Sequence, residues 1–228
     1  MKTTQEPATT KKTLKVLLVE DHPMFREHLT ELINRNNLEM TVCGEADNVE
    51  DAMRLIEEVH PDISIVDITL RGSSGLELIK EIKSRGHQTE VLVLSMHDED
   101  LYAERALRAG ARGYITKNEA SSEVIKAIRA VAAGEVYASR QMTAKLLERM
   151  TRGSLPPELT GLDKLADREL EVFQLLGSGK GTREIAESLG LSDSTVDTYR
   201  SRIKDKLQLR SAAEVYIKAG QWVREQAG

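Results

Sequence analysis

Hydrophobic positions in the first half of the chain follow two alternating rhythms. Short β-branched runs at residues 15–19, 40–43, 63–66, 91–94 and 113–115 are bounded by polar residues, as buried strands are. Between them apolar residues recur at helical spacing. Phe25, Leu29, Leu32 and Ile33 share one face; so do Val49, Met53, Ile56 and Val59, and Val124, Ile128 and Val131. The helix carrying Leu101, Ala106 and Leu107 is the least amphipathic of the five. Strands alternating with helices predict a five-stranded parallel sheet covered on both faces, a doubly wound α/β domain over residues 14–134. After Gly134 the alternation stops. A short helix is predicted at 142–150, then Arg152-Gly153-Ser154-Leu155-Pro156-Pro157 breaks the chain, so residues 135–159 read as a linker. Beyond it, 167–176, 182–189, 192–207 and 211–223 all read as helix, a small all-α domain over residues 160–228.

Charge sharpens the second half only locally. The net charge is −5 over 228 residues, and residues 160–228 hold 11 Lys/Arg against 11 Asp/Glu. Within that neutral third, residues 200–210 carry five basic residues and one acid, a local +4. Such a run is by itself a solvated helix face as often as a phosphate contact. The single cysteine, Cys43, excludes an internal disulfide framework and points to a reducing compartment. Its apolar neighbours predict a small buried filler. No stretch reaches the ~20 apolar residues that span a bilayer, and residues 1–13 lack the apolar core of a signal peptide. They read as a disordered tail. The expectation is a cytoplasmic protein with no membrane partner.

The candidate chemistry lies at the strand ends. In an open parallel sheet, ligands sit outside the carboxyl ends of the strands. The first strand ends in Glu20-Asp21, the third in Asp67, the fourth in Ser95 and the fifth in Lys117. Clustered carboxylates repel unless a hard cation joins them, and Mg²⁺ takes carboxylates plus waters. Asp67 can then act as a nucleophile toward a phosphoryl group, with Mg²⁺ and Lys117 neutralising the phosphoryl oxygens and Ser95 offering a hydroxyl. Each residue alone has a plainer reading: a turn aspartate, a helix cap from Glu20-Asp21, a surface lysine. Together they describe an acceptor site.

The stretches LLVED, IVDITLRGSSGLE, VLVLSMH and ARGYITKN make residues 14–134 resemble a response-regulator receiver domain, which is flavodoxin-like. The resemblance implies that Asp67 is the phosphoacceptor and that Glu20, Asp21, Asp67 and the backbone carbonyl of Thr69 hold the metal. It implies that Ser95 and Tyr114 are the switch hydroxyl and aromatic and that Lys117 contacts the phosphate. It also implies a sensor histidine kinase as donor. Where many receivers carry proline four residues after the acceptor, this chain has Arg71; Thr69 and His97 sit where the family tunes phosphoryl lifetime.

In the second domain, TREIAESLGLSDSTVDTYRSRIKDKL reads as helix, glycine turn, helix. Gly190 suits a left-handed C-cap, and Ser192 caps the next helix with Asp193 in its first turn. The second helix of such a unit enters the major groove. Val196, Arg200, Ile203 and Leu207 fall on one side of it, with Tyr199 at the edge; Ser194, Asp197, Thr198, Ser201 and Asp205 fall opposite. Arg202 and Lys206 flank that polar seam on one rim and Lys204 on the other, suiting base reading within and phosphate contact outside.

Residues 160–224 resemble the LuxR-type helix-turn-helix of the NarL/FixJ family, through REIAESLGLSDSTVDTY, IKDKL and LADRELEVFQLLGSGK. By that resemblance Asp197, Thr198 and Ser201 lie nearest the bases, within a DNA-facing set that also includes Ser194, Thr195, Tyr199, Arg202, Lys204 and Lys206. Asp197 stands where lysine is common and Tyr199 where histidine is; Ala166 replaces the usual threonine cap, which predicts fraying at the first helix. The implied function is phosphorylation-dependent DNA binding. The resemblance also implies a homodimer on phosphorylation, with Val215, Ile217, Trp222 and Val223 as candidate contacts. Two other readings compete. An aspartyl-phosphate hydrolase needs a second acid close after the nucleophile, and Ile68-Thr69-Leu70 supplies none, so no turnover of an external substrate is expected. A receiver whose helical domain binds a partner other than DNA is the alternative that Asp197 suggests.

Overall fold

The computed structural model describes residues 13–35, 39–70, 72–96, 99–119, 121–140, 142–144 and 161–226. Most of the expected tail, the greater part of the linker, Arg71 and His97 lie outside the described residues. The strands are β1 (Leu14–Val19), β2 (Met40–Ala46), β3 (Ile63–Val66), β4 (Thr69–Leu70), β5 (Ser73–Ser74), β6 (Glu90–Ser95) and β7 (Gly113–Thr116). Five of them form the parallel sheet in the order β2–β1–β3–β6–β7, and β4 and β5 make a separate antiparallel hairpin.

Residue alternation assigns each strand's side chains to a face. Val16 and Leu18 of β1 join Ile63, Ile65, Leu92 and Leu94 beneath α1 (Pro23–Asn34) and α5 (Ser121–Ala132). Leu17 and Val19 join Val66, Val91 and Val93 beneath α2 (Val49–Val59), α3 (Gly75–Ser84) and α4 (Glu99–Ala109). Both layers are buried, which is why the strands read as nearly continuous apolar runs, broken in β3 only by Ser64, whose hydroxyl pairs with Thr89. The chain reverses its direction across the sheet between β1 and β3, so the crevice at that switch point opens between their carboxyl ends. Cys43, on β2, is half-buried rather than buried.

The second domain is built from α6 (Asp167–Gly177), α7 (Thr182–Leu189), α8 (Asp193–Lys206) and α9 (Ala212–Gln226). Gly190 takes the left-handed cap conformation at φ 65°, and the Ser192 hydroxyl accepts the Thr195 N–H at 3.2 Å. Ala166 brings no side-chain oxygen to its cap, but the Glu169 carboxylate accepts the Ala166 N–H at 2.8 Å and holds that helix start from the inside. Val215 is fully buried in this domain's own core and the Trp222 ring meets Phe173 at a tilt of 51°, centroids 6.2 Å apart. Of the candidate dimer contacts, Val215 is therefore spoken for, whereas Ile217 is 59% exposed.

One buried cluster runs without a break from the α2–α4 face of the sheet into Leu170, Phe173, Ile185 and Val196. Polar contacts seal the seam. Tyr102 donates its hydroxyl to Gln174 (2.8 Å), and Arg105 donates to the carbonyls of Leu162 and Leu165 (both 2.9 Å) and to Asp167 (3.0 Å). The receiver half therefore presents α3 and α4 to α6. After α5 the chain runs beside β7, where Tyr137 exchanges backbone bonds with Arg112 and Tyr114 and donates its hydroxyl to Glu123.

Candidate phosphoacceptor site and nucleic-acid interface

Asp67 follows the last residue of β3 and is 4% exposed, with its N–H bonded to the Val19 carbonyl at 2.9 Å. That bond ties the acceptor to the end of β1, where Glu20 and Asp21 stand. Lys117, one residue past β7, reaches both acids: its Nζ lies 2.7 Å from Asp67 Oδ2 and 2.6 Å from Glu20 Oε2. The same ammonium sits 4.6 Å over the Phe25 ring. Ser95 and Tyr114 are both buried, Ser95 at the end of β6, Tyr114 one strand over in register with Val93. All five strand-end groups thus meet at the carboxyl edge.

The charge balance favours a cation. Burial raises the Glu20 carboxyl above its usual range, the neighbouring Asp67 raises it further, and Lys117 opposes both. Ligand atoms of Glu20, Asp21, His22 and Asp67 all lie within 4.8 Å of one another. Asp21 Oδ1 is buried with no hydrogen-bond partner, although His22 Nδ1 approaches to 2.8 Å; the approach lacks hydrogen-bond geometry. An orphaned carboxylate oxygen beside two further acids is what an oxygen-preferring divalent ion would satisfy. His22 is the N-cap residue of α1 and its own side chain makes no cap bond, while Glu20 Oε1 accepts the His22 N–H at 3.1 Å.

The loop after Asp67 holds what the sequence left unread. Thr69 N–H approaches Asp67 Oδ1 at 3.4 Å, and Gly75 N–H bonds the Ile68 carbonyl at 2.7 Å. A Cβ at Gly75 would lie 1.9 Å from the Asp67 carbonyl oxygen, so only glycine lets α3 start against the acceptor. The loop then touches the second domain directly. Arg168 donates to the Leu70 carbonyl at 3.0 Å, Gly72 N–H to the Leu189 carbonyl at 2.9 Å, and Ser74 Oγ to Glu171 at 3.3 Å. Arg168 and Glu171 form a buried ion pair with each other. Burial pushes the Glu171 carboxyl up to about 7, with Arg168 opposing it.

On α8, Val196 and Ile203 are buried while Ser194, Asp197, Thr198, Ser201, Arg202 and Asp205 are exposed, the division the helical spacing predicts. Thr195 is half-buried in the N-terminal turn. Two members of the DNA-facing set lean inward. Tyr199 packs against the core with the Arg202 guanidinium 6.0 Å from its ring, and Lys206 is anchored to the buried Glu169 carboxylate at 2.6 Å. Lys204, 36% exposed, lies 3.4 Å from Asp205. No helix among the described residues is long and apolar enough to cross a membrane.

Comparison with known proteins agrees with both halves. Residues 16–129 match the response regulator receiver domain and residues 163–219 the bacterial regulatory proteins of the luxR family. A Pseudomonas aeruginosa protein described as a transcriptional regulator is 39% identical, covering 87% of this chain and 93% of that one. The response regulator GacA of the same species is 33% identical, covering 90% and 95%. The crystal structure of a LuxR-family two-component response regulator from Aurantimonas superimposes with a TM-score of 0.56 at 34% identity, covering 61% of this chain and 99% of that one. The chain belongs to the response regulators that carry a LuxR-type DNA-binding domain.

Proposed function

We propose that the chain is a phosphorylation-dependent, DNA-binding transcription regulator switched at Asp67. The observation that carries this reading is that one loop, residues 68–75, leaves the acceptor carboxylate and is bonded to the helix-turn-helix domain. A carboxylate oxygen of Asp67 forms the new P–O bond as the P–N bond of a partner histidine kinase breaks; the leaving imidazole takes its proton from solvent. Mg²⁺ held by Glu20, Asp21, Asp67 and the Thr69 carbonyl would neutralise the phosphoryl oxygens. Lys117 then exchanges its contact with the Asp67 carboxylate for one with the phosphoryl group, and Ser95 and Tyr114 move toward it. The reaction ends at the phosphoprotein, without turnover of an external substrate.

The product places a phosphoryl group of about −1.5 to −2 where the carboxylate carried −1, at a site already holding two further acids. Thr69 and Leu70 must rearrange to admit it, and the Arg168–Leu70 and Gly72–Leu189 bonds are three to five residues away along the chain. Their loss frees the Leu189–Gly190 turn that leads into α8, so that its N-terminal half can approach a duplex. Dimerisation through α9, where Tyr216 and Ile217 are exposed, would let two copies read two half-sites.

Intact mass after incubation with Mg²⁺ and acetyl phosphate, beside Asp67→Ala, tests the first step. One phosphoryl adduct on the native chain alone is expected, with tighter, salt-sensitive binding to duplex DNA. An adduct that survives Asp67→Ala, or duplex binding indifferent to the adduct, would overturn the reading.

A further inference from the structure

The N-terminal half of α8 carries two exposed acids, Asp193 in the first turn and Asp197 one turn on, and the second is held in a fixed geometry. Asp197 is 52% exposed, and its Oδ1 lies 2.9 Å from Arg200 Nη2. Arg200 is no loose partner: its Nη1 lies 3.3 Å from both the Thr182 hydroxyl of α7 and the Tyr216 hydroxyl of α9. A guanidinium gripped by two other helices fixes one carboxylate oxygen while the side chain as a whole stays open to solvent. It also screens the acid, which would otherwise be repelled by phosphates on either side. The neighbouring Thr198 donates its hydroxyl to the Ser194 carbonyl at 2.9 Å, so its hydrogen is not offered to the same acceptor.

We infer that Asp197 is a specificity residue that selects cytosine in the operator, an inference that rests on the DNA-binding reading above. A carboxylate only accepts hydrogen bonds. In the major groove cytosine offers the N4 amino group; guanine offers two acceptors; thymine offers an acceptor and a methyl; adenine pairs its donor with the N7 acceptor. An exposed carboxylate oxygen is therefore matched by cytosine, rejected by guanine and thymine, and only half matched by adenine. Arg200 acts as a positioning residue, since its hydrogen bonds set where Asp197 points.

The test is selection from a randomised duplex library by the full chain, with and without acetyl phosphate and Mg²⁺, beside Asp197→Ala and Asp197→Asn. Circular dichroism melts of the three proteins report whether the fold is kept. The native chain is expected to enrich cytosine at one position of each half-site, by about tenfold over the other bases. Asp197→Ala loses that preference and keeps the rest of the site. Asp197→Asn moves it toward adenine, whose N6 and N7 match an amide. Unchanged base preference in both variants would overturn the proposal. A native chain that enriches no duplex would instead overturn the DNA-binding reading, and this inference with it.

Discussion

Replacing Arg105 with alanine should open the molecule without phosphorylation. Arg105 lies on α4 and is 16% exposed; its guanidinium donates to the Leu162 and Leu165 carbonyls and to Asp167. Hydrogen bonds from a charged donor contribute about 1.5–3 kcal/mol each, but three on one side chain are not additive, and water replaces them on opening. A loosening of about 2–3 kcal/mol is the reasonable net, a change of roughly 30- to 150-fold in the closed-to-open ratio. Lys80 provides the internal comparison. It meets the same Asp167 carboxylate at 2.7 Å yet is 58% exposed, so Lys80→Ala should cost less than about 1 kcal/mol. If only the open form binds DNA, apparent affinity scales with the open fraction. Unphosphorylated Arg105→Ala should then bind duplex tens of times more tightly than the native chain, with a larger hydrodynamic radius, until the open form saturates. Acetyl phosphate should still label Asp67, because the Arg105 contacts that are lost run to Leu162, Leu165 and Asp167 and not to that carboxylate. An Arg105→Ala protein that labels normally but neither expands nor gains affinity would refute the claim that this seam holds the closed state.

Docking should also depend on pH. Glu171 is 1% exposed in the closed form, where burial pushes its carboxyl up to about 7 from the ordinary 4.5, with Arg168 opposing. An acid raised in the closed form favours it when protonated, so docking weakens as pH rises through 7 and strengthens as pH falls toward 5. The slope between the two values is about 1.4 kcal/mol per pH unit. DNA affinity of the unphosphorylated chain measured at pH 6 and pH 8 should show weaker binding at the lower pH, and Glu171→Gln should flatten the difference; a variant with the native pH profile would remove Glu171 as the cause. At the acceptor itself, Gly75→Ala places a Cβ against the Asp67 carbonyl. It should cost about 1–3 kcal/mol by overpacking and slow labelling by acetyl phosphate, read as a lower melting temperature and a slower mass shift. Native labelling in a Gly75→Ala chain would mean that α3 can yield without moving Asp67.

The gathering of the candidate site residues was legible because strand order in a doubly wound sheet sends every carboxyl-end residue to one edge. Glu20, Asp21, Asp67, Ser95 and Lys117 could be gathered by taking the polar residues at the carboxyl end of each apolar run. Helix spacing likewise separated Val196 and Ile203 from the exposed residues of α8. The seam between the domains was not legible, for three physical reasons. Two-residue strands such as β4 and β5 carry no alternation to detect. Arg168, Glu169 and Glu171 are buried charges, and charges are placed outside by any reading that lacks their partners. The weak amphipathicity of α4 has the same origin: its buried residues are Tyr102, Ala103, Ala106 and Ala109, and part of that face meets α6 rather than the sheet. Val215 was read as a dimer contact because apolar residues on a terminal helix do not say which neighbour covers them.

The composition of the loop after Asp67 now has a reason in the contacts it makes. Arg168 and Leu189 hold it through main-chain atoms, the Leu70 carbonyl and the Gly72 N–H. Gly72 stands at φ 70°, a conformation that side-chain-bearing residues rarely adopt. Gly75 brings α3 against the acceptor's own carbonyl. The loop is also held by the Ser74–Glu171 contact and by Ile68 and Leu70, whose side chains are fully buried in the core, so a rearrangement there is felt at once by what packs against it. The dense packing of the domains supplies rigidity on either side, so a small shift at Leu70 is not absorbed there. Under the proposed switch, the coupling between the phosphoryl group and the turn before α8 is therefore short. It runs along one loop rather than through the sheet. It also accounts for the helix-turn-helix domain meeting the receiver beside Asp67, where a phosphoryl group would disturb it most.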